Sequence, residues 1–214
     1  MKKTIIFDLD GTLIDSDPIT ISAINDIRKE DKLSPLLASA IRPFLAMGGL
    51  ILIQNTISNT GSIEINTEYL NRLRIKIFER KTEENILFPN VKAALNTLVK
   101  RNINLCICTN KGNVLAAKIL SDLGISKYFK NIIADGDLDT RKPNKNNFFA
   151  CMHDIKSLKS ECIIIGDSTV DLELAKNSGV DFLAYNNQTN IEFIRDFSGP
   201  SFKNYSQLIK YDLI

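Results

Sequence analysis

Short, uninterrupted apolar runs constrain this chain more than any other feature. Cys162-Ile163-Ile164-Ile165 is apolar at four consecutive positions. A strand with one wet face would alternate apolar and polar residues, so an unbroken run marks a strand buried on both faces. Five such segments predict strands over residues 4–9, 103–108, 131–134, 161–165 and 181–185. Helical spacing lies between them, with Val91, Ala94, Leu95 and Leu98 on one stripe and Ala116, Ile119, Leu120 and Leu123 on another, the second stopping at Gly124. From about residue 88 onward strand and helix alternate, which predicts an α/β fold: a doubly wound, Rossmann-like parallel sheet covered by helices.

The alternation fails over about residues 17–85. That stretch carries helical patterns (Ile21, Ile24 and Ile27; Tyr69, Leu70, Leu73 and Ile77) and no convincing strand. An inserted all-helical cap over residues 16–85 accounts for this, with residues 1–15 and 86–214 forming the α/β core and Pro89 marking the return to it.

Composition narrows the function classes. With 214 residues and 44% hydrophobic content, the chain has enough apolar material for a core without staples. Basic residues number 27 and acidic residues 25. They are scattered, so nothing favours nucleic acid as a partner. The N-terminal apolar run is cut at Asp8 before a signal-peptide core can form, and residues 48–53 are too short an apolar stretch to span a bilayer. A cytoplasmic protein without membrane association is expected, with Cys106, Cys108, Cys151 and Cys162 as buried reduced thiols.

Four loops carry candidate chemistry, and each also has a plain structural reading. Phe7-Asp8-Leu9-Asp10-Gly11-Thr12 follows the first strand. Side chains two apart on a strand share a face, so Asp8 and Asp10 should project together at a carboxyl strand end, where α/β sheets bind ligands. Converging carboxylates need a cation or a shared proton, although strand-end aspartates also cap turns. A calcium loop is excluded because Gly11 falls at the wrong position. Gly166-Asp167-Ser168-Thr169-Val170-Asp171 again follows an apolar strand. Asp167 is placed to share a metal with Asp8, whereas Asp171 fits equally a site residue and the acid of an N-terminal cap begun by Ser168. Thr109-Asn110 reads as an anion site or an N-cap at a helix start, and Lys142, before Pro143, as a functional or a solvated loop lysine. His153 is an incidental helix residue, which leaves a Ser-His-Asp mechanism unsupported.

Taken in order, Asp-x-Asp-Gly-Thr, Thr-Asn, Lys-Pro and Gly-Asp-Ser-x-x-Asp resemble the motifs of the haloacid dehalogenase superfamily, within it the phosphoglycolate phosphatase-like branch, over essentially the whole chain. The resemblance implies a Mg²⁺-dependent phosphatase acting on a small phosphorylated metabolite through an aspartyl-phosphate, with 2-phosphoglycolate as the leading substrate. Sugar phosphates, N-acetylmuramate 6-phosphate, nucleotides and pyrophosphate are the other substrates it leaves open, a β-phosphoglucomutase-like mutase shares every motif, and a non-catalytic binding protein on the same fold is the remaining alternative. It also implies roles. Asp8 would be the nucleophile and touch the metal. Asp10 would be the general acid/base, with its backbone carbonyl on the metal. Asp167 would be a metal ligand, with Asp171 supporting it directly or through water. Thr109 and the Asn110 amide would hold phosphoryl oxygens, Lys142 would neutralise charge, and Gly11 would let the backbone turn over the substrate. Arg42, in the loop-like segment 42–49, would pair with a substrate carboxylate. Asp10 also sets the reaction class, since enzymes of this superfamily that cleave carbon–halogen bonds lack a carboxylate there.

Overall fold

A computed structural model describes residues 1–45, 49–58 and 62–209. In chain order its elements are β1 (Thr4–Phe7), α1 (Asp17–Glu30), α2 (Ala38–Leu45), α3 (Gly49–Ile53), α4 (Ile63–Phe78), α5 (Val91–Lys100), β2 (Asn104–Gly112), α6 (Asn113–Asp122), β3 (Asn131–Asp135), α7 (Lys145–Cys151), β4 (Cys162–Gly166), α8 (Thr169–Ser178), β5 (Asp181–Tyr185), α9 (Ile191–Asp196), β6 (Ser201–Phe202) and α10 (Tyr205–Leu208). They fall into two compact units, one of Met1–Asp15 with Thr82–Ile214 and one of Ser16–Lys81.

The first unit is built on six parallel strands in the order β3-β2-β1-β4-β5-β6. Every residue of β1 and β4 is buried, as the unbroken apolar runs require of strands covered on both faces. Helix α8 starts where the Ser168 side chain accepts from the Asp171 N–H and ends at Gly179 with φ +69°, a left-handed cap that suits glycine. The chain runs outward from β1 through β2 to β3, then returns to the other side of β1 with β4. That reversal puts the topological switch point at the carboxyl end of β1, where sheets of this kind open a crevice. Asp8 is the first residue beyond that end, and its N–H bonds the Ile165 carbonyl of β4 at 2.9 Å.

Two features lie outside the sequence expectations. The sheet has a sixth strand, β6, followed by α10; both are too short to leave a periodic signal. Tyr205 of α10 is fully buried, and its hydroxyl donates to the Thr12 carbonyl at 2.7 Å. Strand β2 also runs past Cys108 to Gly112, through an irregular register against β3. Thr109 and Asn110 therefore stand on an extended strand, not at a helix start, and α6 begins only at Asn113.

The second unit is helical. Ala23, Ile24, Ile27, Ile41, Leu52, Ile53, Ile57 and Leu73 form its own core. A π-helical turn at Gln54–Ser58 follows α3, and Arg28 donates to the carbonyl of buried Thr56 within it. The unit closes at Lys81 rather than at residue 85. Thr82 already belongs to the α/β unit, where its N–H bonds the Asp122 carboxylate at 2.9 Å. Arg42 is exposed on α2 beside Pro43, so the expected loop is helical as far as Leu45, while Ala46, Met47 and Gly48 lie outside the described residues. Among the described residues no helix is long and apolar enough to cross a membrane.

Candidate active site

Three carboxylates meet beyond the carboxyl ends of β1 and β4. One oxygen each of Asp8, Asp167 and Asp171 lies within 4.8 Å of the others. The Lys142 ammonium joins two of them, donating to Asp8 Oδ1 at 2.6 Å and Asp171 Oδ1 at 2.7 Å. Lys142 is 7% exposed and Asp171 1%, so this is a buried ion network rather than a surface pairing.

Its electrostatics follow from that burial. Removal from water raises the Asp8 carboxyl to about 7; the Lys142 ammonium opposes the rise, and the charges of Asp171 and Asp10 add to it. Asp167 is pushed well above the usual carboxylate range, first by burial and then by Asp8 and Asp171. Burial works against the charge on Lys142, yet the carboxylates of Asp171 and Asp8 win and hold its pKa above the ordinary lysine value. Were all three carboxylates ionised against one ammonium, two negative charges would stay uncompensated, which together with burial is the reason two of them hold protons so strongly. An oxygen-only donor set with that excess fits a hard divalent cation rather than zinc.

Neighbouring residues build the trio. Ser168 caps α8 and also donates to Asp171 Oδ2 at 2.6 Å. Asp171 thus serves as cap partner and as trio member, and the two readings of it coexist. A Cβ on Gly166 would lie 2.4 Å from the Asp171 side chain, and one on Gly11, with φ +76°, would lie 2.2 Å from Asp167 Oδ2. Gly11 thus admits the Asp167 carboxylate against the backbone of the first loop. Asn110 clasps the backbone of Lys142 from both sides, accepting from its N–H at 2.9 Å and donating to its carbonyl at 3.1 Å. Thr109 is buried, and its hydroxyl oxygen accepts from the Lys111 N–H at 3.1 Å.

Asp10 departs from the expected arrangement. The pleat of β1 ends at Phe7, so strand alternation does not carry through to Asp10. Its carboxylate stands outside the trio and pairs with Lys111 Nζ at 2.9 Å. Sequence reasoning also missed Asn187 and Asn190, in the loop after β5. Asn187 Nδ2 donates to Asp167 Oδ2 at 2.9 Å and to the Gly11 carbonyl at 2.7 Å, and Asn190 Nδ2 reaches the Asp167 carbonyl at 2.9 Å. Their one available signal was position, directly beyond a strand's carboxyl end. His153 is exposed and 3.3 Å from Asp154, with no part in this network.

The model of the haloacid dehalogenase-like hydrolases matches residues 5–185. The chain belongs to that family. Among curated relatives of this haloacid dehalogenase-like hydrolase, the phosphoglycolate phosphatase of Rhodobacter capsulatus is 31% identical over 192 residues, covering 86% of this chain and 84% of the relative. The phosphoglycolate phosphatase of Pseudomonas fluorescens Pf-5 is 28% identical, covering 86% and 69%. The crystal structure of a predicted phosphoglycolate phosphatase from Haemophilus somnus 129PT superposes with a TM-score of 0.84 at 24% identity, covering 98% of this chain and 97% of that one. At that identity the structural match speaks for the hydrolase fold alone.

Proposed function

We propose that this hydrolase is a Mg²⁺-dependent phosphatase that transfers a phosphoryl group from a small phosphorylated metabolite to Asp8 and then to water. The observation that carries the reading is the buried Lys142 ammonium bridging Asp8 and Asp171 inside the acidic trio. Asp8, Asp167 and Asp171, with the Asp10 backbone carbonyl, are the proposed holders of Mg²⁺. The bound ion would supply the positive charge that lets a dianionic ester approach an acidic site.

The remaining work falls to the chain. An Asp8 carboxylate oxygen attacks phosphorus; the new O–P bond forms as the ester P–O bond breaks. Lys142 favours the ionised form of Asp8 and balances charge on the phosphoryl oxygens. The Thr109 hydroxyl and the Asn110 amide orient those oxygens. Asp10, outside the trio and in its protonated form, gives its proton to the departing alkoxide oxygen. It then takes a proton from the water that attacks the aspartyl-phosphate, which releases inorganic phosphate, frees the Asp8 carboxylate and returns Asp10 to its protonated form. Arg42 is the proposed partner of a carboxylate on the substrate.

The curated relatives support 2-phosphoglycolate as the substrate. Four cysteines without disulfides support a reducing compartment, the cytoplasm, as its location. The reading is tested with a panel of phosphorylated metabolites assayed with and without EDTA, in wild type and Asp8→Asn. Asp8→Asn should abolish release of phosphate while keeping the native circular dichroism spectrum. Turnover retained in that variant refutes Asp8 as the nucleophile, and an isomerised sugar phosphate in place of free phosphate makes the protein a mutase.

A further inference from the structure

Lys111 is a charged group at the site to which the proposed reaction gives no work. Its side chain is 14% exposed, and its ammonium sits 2.9 Å from Asp10 Oδ1. Lysine seldom surrenders this much hydration without a partner, so the pair is a fixed feature and not a chance surface contact. It sits on the stretch of β2 beyond Cys108 where the register against β3 breaks. Three consecutive residues of that stretch each hold a different part of the machinery. Thr109 presents a buried hydroxyl, Asn110 clasps the backbone of Lys142, and Lys111 holds the Asp10 carboxylate. The Lys111 N–H in turn bonds the Thr109 hydroxyl oxygen at 3.1 Å, which ties the first and third of these residues together.

Asp10 is the group that Lys111 holds. It lies beyond the end of β1, its side chain is 34% exposed, and it has no place in the acidic trio. A carboxylate on a loop explores several rotamers. An acid/base must instead sit within hydrogen-bond reach of the leaving oxygen and later of a water.

We infer that Lys111 is a positioning residue that fixes the Asp10 carboxylate for proton transfer. The inference rests on the proposed role of Asp10, and its test separates the two. The kcat/KM value covers the steps through departure of the leaving group. An alkyl phosphate needs a proton on its leaving oxygen, whereas an aryl phosphate with an acidic phenol hardly does. Lys111→Met should therefore lower kcat/KM for an alkyl phosphate by about 10- to 100-fold, part of the range for general acid–base catalysis, and that for p-nitrophenyl phosphate by much less. Lys111→Arg, which keeps a cation within reach of Asp10, should recover most of the loss. In the Asp10→Asn background, Lys111→Met should cost little further, because the group it positions is gone. Equal losses on both esters, or full additivity of the two substitutions, overturns the inference and leaves Lys111 a structural or substrate-binding residue. An Asp10→Asn enzyme as active as wild type on both esters overturns the reading of Asp10 itself, whatever Lys111 does.

Discussion

The two units handle charge in opposite ways. The helical unit keeps its ions at the surface: Arg72 forks onto Asp31 at 2.9 and 3.0 Å and also reaches Glu30, Lys76 pairs with Glu30, and Arg80 pairs with Asp26. Among its described residues, the buried ones are aliphatic apart from Thr56 and Asn66, neither of them charged. The α/β unit instead buries Asp8, Lys142 and Asp171 together at the end of its central strand. Surface pairs are worth little because water screens them and ordering long side chains costs entropy. A buried network is costly to form and ruinous to break by halves. The contrast separates charge that merely decorates a fold from charge held against its solvation preference, and the second kind marks the chemistry.

The largest effect that would sharpen this contrast is expected at Lys142. Lys142→Met removes the one cation between two buried carboxylates. In EDTA it should lower stability by about 3–5 kcal/mol, read from urea unfolding, and phosphatase activity should fall by at least about 100-fold. Wild-type rates in a folded Lys142→Met enzyme would reduce the residue to a loop lysine.

Next in size is the response to pH. The folded protein raises the Asp8 carboxyl from 3.8 to about 7, chiefly by burial, and raises Asp167 in the same direction. Between those limits the native state binds more protons than the unfolded chain. Their stabilisation is therefore complete at the acidic end and lost as pH rises through the folded value. Metal-free protein should thus melt at a lower temperature near pH 7 than near pH 5, as far as these groups decide it. Mg²⁺ should restore the melting temperature most at the upper end, where no proton competes for the carboxylates. Differential scanning fluorimetry across pH, with Mg²⁺ and with EDTA, checks both, and Asp8→Asn should flatten the slope. The smallest effect belongs to the helical unit. Asp31→Asn breaks the fork to Arg72 yet should cost less than about 1 kcal/mol by urea unfolding. A loss there as large as that of Lys142→Met would erase the contrast.

The same division explains what could be read in advance. The strand runs were legible because burial on both faces leaves no polar position in them, and strand ends then placed Asp8 and Asp167 without further information. Lys142 was not legible from its own surroundings, since a lysine before a proline is usually solvated; only its place among the other motifs singled it out. The pairing of Asp10 with Lys111 was missed because strand alternation was carried past the last residue that obeys it. Asn187, Asn190 and Tyr205 were missed for another reason. Each acts through hydrogen bonds to loops distant in sequence, and neither periodicity nor composition encodes such bonds.

Tyr205 joins two stretches of the chain that lie far apart in sequence. Its hydroxyl is tied to the carbonyl of Thr12, so the loop that carries Asp8 and Asp10 is fastened from α10, across a separation of 193 positions. The working shape of that loop would therefore answer to a phenol whose hydrogen bond lies outside the acidic trio, and a substitution remote in sequence could silence the site without altering any of its acidic residues.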